Sequence, residues 1–304
     1  MKQTQKSPDN NIRAFFFDMK TTVAIQGIKG SFHDEVAQQY FGNQTEVLAC
    51  DSFDQLVQSV VNDNCKQAVM AIENSIAGSI LPNYALLDQY DLSIVGEHLL
   101  SITHNLMAMP GQSISDIHEV HSHPMALLQC KQFFHAHPHI KLVESSDTAA
   151  VAKEISDNNQ IGKGAIASQL AADLYGLQVI SESIQTIKNN VTRFVIVQKS
   201  ADQTILNISK ASWKFVLNHK RGSLATALNV MSDCKLNLTK IQSLPDIREL
   251  CSALIKDIAE KSKGLKDVCF INTCYLTFTA TCFTSLCEFK GKISQSFGNR
   301  TRNP

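Results

Sequence analysis

The chain of 304 residues sets 28 Lys and Arg against 28 Asp and Glu and is 44% hydrophobic and 18% charged. This is the composition of a globular protein with more residues than one core usually fills. Zero formal net charge leaves no whole-molecule field to draw nucleic acid or an anionic membrane. No basic stripe carries interleaved aromatics, and no run nears the roughly 18 apolar residues of a membrane helix.

Residues 1–20 read as a polar N-terminal extension. Its apolar core, Ala14-Phe15-Phe16-Phe17, is shorter than the h-region of a secretory signal and is closed by Asp18. Nine cysteines, an odd number with no C-x-x-C pair, are expected to be reduced and buried, and the chain to be cytoplasmic.

From residue 21 to about 200, short apolar runs alternate with helical patterns. A strand over 23–25 turns at Gly27-Ile28-Lys29-Gly30 into a helix over 33–40. A strand over 47–49 is followed by a helix with Phe53, Leu56, Val57, Val60 and Val61 at helical spacing, capped by Asp51 or Ser52. A third strand, 67–72, runs into Glu73-Asn74-Ser75. This β-α-β-α-β order predicts a parallel or mixed sheet covered by helices. Residues 92–95 and 99–109 read as two extended pieces that cross into a second lobe. There, His123-Pro124 opens a helix over 125–135, strands are expected over 141–144, 164–167 and 178–180, and a helix over 148–155. The strand 193–198 closes the unit, and 200–203 reads as a linker. A second unit has a strand over 213–217, a helix from Gly222 to Met231 and a strand over 236–241.

Candidate chemistry gathers at strand ends: Glu73, Asn74 and Ser75; Ser122, with Gln129 two turns along the next helix; and Thr192-Arg193. In open α/β sheets such ends face one crevice. Taken singly, each of these residues is more often a cap or a turn former than a catalyst. Thr192 and Arg193, adjacent in sequence, offer a hydroxyl donor and a fixed cation for a carboxylate substrate. The string His135-x-His137-Pro138-His139 is broken by its proline and has no further ligand at metal spacing. The Gly27-x-x-Gly30 turn lacks the ending of a phosphate loop. Neither metal nor cofactor is expected.

Six segments in order resemble the prephenate dehydratase family. They are Gly27-x-x-Gly30-Ser31-Phe32; Val69-Met70-Ala71-Ile72-Glu73-Asn74-Ser75-x-x-Gly78; Gly96-Glu97 with Ile102-Thr103-His104-Asn105-Leu106; Ser122-His123-Pro124-x-Ala126-Leu127-x-Gln129-Cys130; Gly164 to Ser168 with Tyr175-Gly176-Leu177; and Asn190-Val191-Thr192-Arg193-Phe194. Departures include Ile28, Ser31, His33, Ala71 and Met125, where the family usually has Pro, Thr, Ser, Pro and Gln. The resemblance implies an α/β catalytic domain over 21–200 with two lobes like a type 2 periplasmic binding protein. It implies decarboxylating dehydration of prephenate to phenylpyruvate on the way to phenylalanine. Glu73, Asn74, Ser122, Gln129, Thr192 and Arg193 are the implied catalytic residues, and Ser31, Ser75 and Phe194 the implied substrate contacts. Thr192 would hydrogen-bond the departing oxygen and Arg193 would anchor a carboxylate, while Glu73 ranks as structural before acid/base. Arogenate stays open as a substrate, and a non-catalytic aromatic-acid sensor is the alternative.

Gly222-Ser223-Leu224 and Asn237-Leu238-Thr239-Lys240-Ile241-Gln242-Ser243-Leu244-Pro245 resemble an ACT domain, a small α+β regulatory module, over 208–245. Gly222, Ser223, Leu224, Asn237 and Leu238 are then the expected phenylalanine contacts, with assembly as a homodimer or tetramer. Beyond Pro245 the resemblance stops. Residues 246–304 are expected to be a divergent tail that does not complete the ACT fold, with 275–279 as a displaced strand.

Overall fold

Strands whose residues are apolar on both faces belong in the middle of a covered sheet. Val23, Ala24 and Ile25 of strand β1 (Thr22–Gln26) are all fully buried. The computed structural model describes residues 22–200, 210–216, 221–245 and 272–279. Two units divide after Lys199.

In the first unit, β1 pairs in parallel with β2 (Glu46–Cys50) and with β3 (Gln67–Asn74). Strand β4 (Gly78–Ser79) folds back on β3, and β5 (Leu92–Ser101) lies at the sheet edge. The last strand of the unit, β11 (Val191–Lys199), sits antiparallel between β3 and β5, giving the order β2-β1-β3-β11-β5. Helices α1 (Phe32–Phe41) and α2 (Phe53–Val61) start on serine caps, Ser31 and Ser52, whose hydroxyls accept from Asp34 N and Gln55 N. Helix α3 (Leu81–Gln89) follows β4.

The second lobe carries a sheet of order β10-β6-β9-β7-β8. Its strands are β6 (Asn105–Ala108), β7 (Glu119–Ser122), β8 (Lys141–Glu144), β9 (Lys163–Ala167) and β10 (Gln178–Ser181). Helices α4 (Pro124–His135), α5 (Thr148–Asp157) and α6 (Gln169–Tyr175) begin just past the carboxyl ends of β7, β8 and β9. The chain passes between lobes twice, after β5 and before β11, so the unit has the two-lobed α/β architecture that the sequence predicts.

One glycine has a task at the lobe boundary. Gly30 has φ +86°, and a Cβ there would stand 3.1 Å from the Ala171 Cα of α6. That close approach lets Ser168 Oγ donate to Gly30 O (2.6 Å) and Tyr175 Oη donate to Lys29 O (2.6 Å).

In the second unit, β12 (Lys210–Val216), α7 (Ser223–Asp233) and β13 (Asn237–Pro245) form a β-α-β half. Strand β14 (Asn272–Thr279) pairs antiparallel with both strands and lies between them. The displaced strand expected over 275–279 falls within it. The N-terminal extension and the rest of the tail lie outside the described residues. Among the described residues no helix is long and apolar enough to cross a membrane.

Candidate active site

Strand alternation decides which side chains can meet. Phe194 and Ile196 of β11 face the α1 side of the first sheet, packed with Val69 and Ala71 of β3. A regular β3 would put Glu73 on that face next. Instead, the register slips by one between Arg193 and Phe194, leaving Ile72 as the extra residue of a bulge. Asn74 therefore pairs with Thr192 on the α1 face, and Glu73 pairs with Arg193 on the other.

The two adjacent residues singled out by sequence are thus separated. Thr192 is buried (8% exposed) and its Oγ1 accepts from Asn74 Nδ2 at 2.8 Å. Arg193 donates from Nε to Glu97 Oε2 at 2.8 Å and holds Nη1 4.0 Å from Glu73 Oε2. Arg193 thus sits between two carboxylates, on the face of the strand opposite Thr192.

Around Thr192 the amides assemble in one chain. Asn74 Oδ1 accepts from Ile76 N and Ala77 N, both at 2.9 Å. Its Nδ2 donates to Thr192 Oγ1 and also to Asn190 Oδ1 (2.7 Å). Asn190 Nδ2 donates to Gln129 Oε1 (2.9 Å), which also meets His104 Nε2 (2.9 Å). The chain joins the first sheet, both inter-lobe crossings and α4. Burial lowers the His104 pKa, opposed by the Gln129 hydrogen bond.

The other predicted residues serve different tasks. Ser122 is fully buried and its Oγ donates to Ile166 O (2.7 Å), fastening β7 to β9 rather than joining the amide chain. Ser75 laces the second crossing: its Oγ donates to Asn189 O and accepts from Val191 N. Ser31 caps α1, and Phe194 is a core side chain packed edge-on against His33. Sequence reasoning places Asn190 and His104 inside longer strings without assigning them a role, although each is a buried polar residue in a segment that crosses between lobes.

Burial holds the His33 imidazole down at about 3, and burial raises the Asp147 carboxyl against the amide hydrogen bonds that Ala150 and Ala149 give it. Asp147 caps α5, and its Oδ2 points at Gly27, where a Cβ would stand 2.6 Å away. The N-termini of α4, α5 and α6 lie at the carboxyl ends of the second lobe's parallel strands, with α6 against the turn that leads into α1. Among the described residues no group of three or more His, Cys, Asp or Glu is placed to hold a metal ion.

In the second unit the register splits the expected effector residues. Asn237 and Lys210 both align with Thr279, while Leu244 and Val216 both align with Thr273. The two outer strands therefore run parallel. Gly222, Ser223 and Leu224 at the start of α7 share an end with the last residues of β13. Asn237 and Leu238 lie one helix length away, roughly 16 Å for eleven residues.

Comparison with known proteins gives the family and agrees with the fold. The family model described as prephenate dehydratase matches residues 23–202. The chloroplastic arogenate dehydratase/prephenate dehydratase 2 of Arabidopsis thaliana is 38% identical over 229 residues, 74% of this chain and 59% of that protein. The chain thus spans little more than half the length of such curated relatives. A quorum quenching acylase, GqqA, superposes with TM-score 0.71 at 25% identity, covering 89% of this chain and 93% of that one. A prephenate dehydratase from Arthrobacter aurescens, solved with L-Phe, superposes with TM-score 0.73 at 22% identity, over 92% and 87% of the two chains. At that identity the last likeness speaks for fold alone.

Proposed function

Because the chain belongs to the prephenate dehydratase family, we propose that it converts a prephenate-type cyclohexadienol to its aromatic product by loss of carbon dioxide and the ring hydroxyl. The observation that carries this reading is the direction of the hydrogen bond between Asn74 and Thr192. Thr192 Oγ1 accepts from Asn74 Nδ2, so its own proton is not used in that bond and can be given to a substrate oxygen. The ring electrons released with carbon dioxide expel the hydroxyl as the ring aromatises, and negative charge grows on the departing oxygen. A positioned donor stabilises that charge. An unaided threonine is too weak an acid to transfer a whole proton, so the hydrogen bond rather than full protonation is its contribution.

The substrate is a dicarboxylate, and the N-termini of α4, α5 and α6 favour anions through the helix dipole. Arg193, already shared between Glu73 and Glu97, stiffens the strand that carries Thr192 in this reading. Gln129 offers its amide N–H groups to the substrate. The acylase reading suggested by one structural relative gains nothing from Ser122, whose hydroxyl is fully buried and spent on a backbone carbonyl.

Regulation by L-phenylalanine through the second unit, and assembly as a dimer or tetramer, belong to the same proposal. The β-α-β half and β14 give the strand order β12-β14-β13, in keeping with a small α+β regulatory module. In an isologous dimer, separated segments of one copy can meet those of its partner. Incubating the chain with prephenate and with arogenate, and separating phenylpyruvate from phenylalanine, tests the reading. Release of either aromatic product supports it; a folded chain that releases neither refutes it.

A further inference from the structure

The polarity of the amide chain is not free. Backbone N–H groups of Ile76 and Ala77 both point at one oxygen of Asn74. A backbone N–H can only donate, so that atom is Oδ1 and the other is Nδ2, whatever orientation a free amide would choose. Nδ2 in turn can only donate, so the Asn190 atom 2.7 Å away must be Oδ1. Asn190 then presents Nδ2 to Gln129, and the Gln129 atom 2.9 Å away must be Oε1. His104 Nε2 lies 2.9 Å from that same Oε1. An oxygen facing an imidazole nitrogen requires the nitrogen to carry hydrogen. The tautomer of His104 is thus dictated by two peptide groups at the far end of the chain of amides.

Resting on the proposed dehydratase reading, we propose that His104 is a positioning residue: its Nε2–H locks the amide of Gln129 so that Gln129 Nε2 faces the substrate as a donor. Gln129 is half-buried and makes no hydrogen bond through Nε2 within the described residues. The network therefore turns only donors outward, the Gln129 amide and the Thr192 hydroxyl, toward a substrate rich in anionic oxygen. Three features fit a neutral imidazole dedicated to this task. His104 is 4% exposed, its Nδ1 has no partner, and its ring packs edge-on against Phe32 at 5.6 Å. Its main chain is pinned as well: His104 N donates to Gln185 Oε1, and Ile184 N donates to His104 O. A histidine held this firmly, without a partner for its second nitrogen, is built to hold a proton rather than to exchange it.

Two variants and one spectroscopic measurement test this. A glutamine amide nitrogen reaches the point occupied by imidazole Nε2, so His104→Gln keeps the donor, whereas His104→Leu removes it. The expected result is a loss of about tenfold or more in kcat for His104→Leu and recovery of most of that loss in His104→Gln, with both variants folded by circular dichroism. Equal defects in the two folded variants, or no defect in His104→Leu, would overturn the inference. Independently of turnover, 15N NMR of histidine-labelled wild type should report His104 as the Nε2–H tautomer at neutral pH; an Nδ1–H tautomer overturns the proposal. If wild type turned over neither prephenate nor arogenate while His104 showed the Nε2–H form, the dehydratase reading would fall and the assigned network polarity would stand.

Discussion

Changing one atom of Asn74 should reverse the whole hydrogen-bonded chain. In Asn74→Asp the oxygen held by Ile76 N and Ala77 N keeps both bonds, and two amide donors keep the carboxylate ionised. The second oxygen can only accept where Nδ2 donated. Asn190 and Gln129 must then rotate their amides, His104 must move its proton to Nδ1, and Thr192 must turn its hydroxyl inward to the new carboxylate. Most bonds are remade, so stability should change by only about 1 kcal/mol. The proton assigned to the departing oxygen is withdrawn, and loss of one such donor costs about 10²–10³ in kcat, roughly 2.7–4 kcal/mol of barrier. A carboxylate near a dianionic substrate also raises KM. A double-mutant cycle with Thr192→Val separates the two effects. If both substitutions remove the same donor, the kcat of the double variant should match that of the worse single variant. Multiplying kcat losses, or an Asn74→Asp kcat near wild type, would refute the donor-direction argument.

Arg193→Met should lower stability by about 1 kcal/mol in urea unfolding, a figure discounted because Glu97 is a third exposed, and should leave KM within about threefold. A tenfold rise in KM would make Arg193 a substrate anchor after all. Gly30→Ala forces a side chain into a positive-φ turn against Ala171 and should cost about 1–3 kcal/mol; an unchanged melting temperature would contradict the tight lobe contact. His33 is held neutral by burial down to about 3, so the unfolded chain binds more protons below its ordinary pKa. Its contribution is complete above about pH 6.5 and fades as pH falls toward 3, by about 2 kcal/mol between pH 6.5 and 5. His33→Met should flatten that slope in denaturant titrations across the same range, and an equally steep slope would assign it elsewhere.

The fold is legible where patterning is strong. Serine caps and helical spacing locate α1 and α2, and apolar runs locate β1, β3 and β9 to within a few residues. Helix α3 escapes sequence reasoning because Pro82 and Asn83 interrupt its pattern and Ile80 gives no side-chain cap; α6 is only seven residues long. Strand β5 reads as two pieces around Gly96, yet it runs through. A Cβ at Gly96 would stand 2.2 Å from Tyr40 Oη, the far end of an exposed side chain that would have to swing aside. At the site, Asn74, Gln129 and Thr192 come together as the sequence suggests. The parting of Thr192 from Arg193 follows from strand alternation, whereas the pairing of Asn74, and not Glu73, on the Thr192 face turns on a one-residue bulge at Ile72, a register fact that spacing along one strand does not carry. Asn190 and His104 escape notice because their partners are 61, 116 and 25 residues away.

Purified wild type, Thr192→Ser and Thr192→Val, given prephenate and arogenate at neutral pH with product release followed by chromatography, test the central claim most directly. The account predicts that wild type and Thr192→Ser form the aromatic product, and that Thr192→Val falls by about 10²–10³ in kcat. A folded Thr192→Val that turns over like wild type would contradict it.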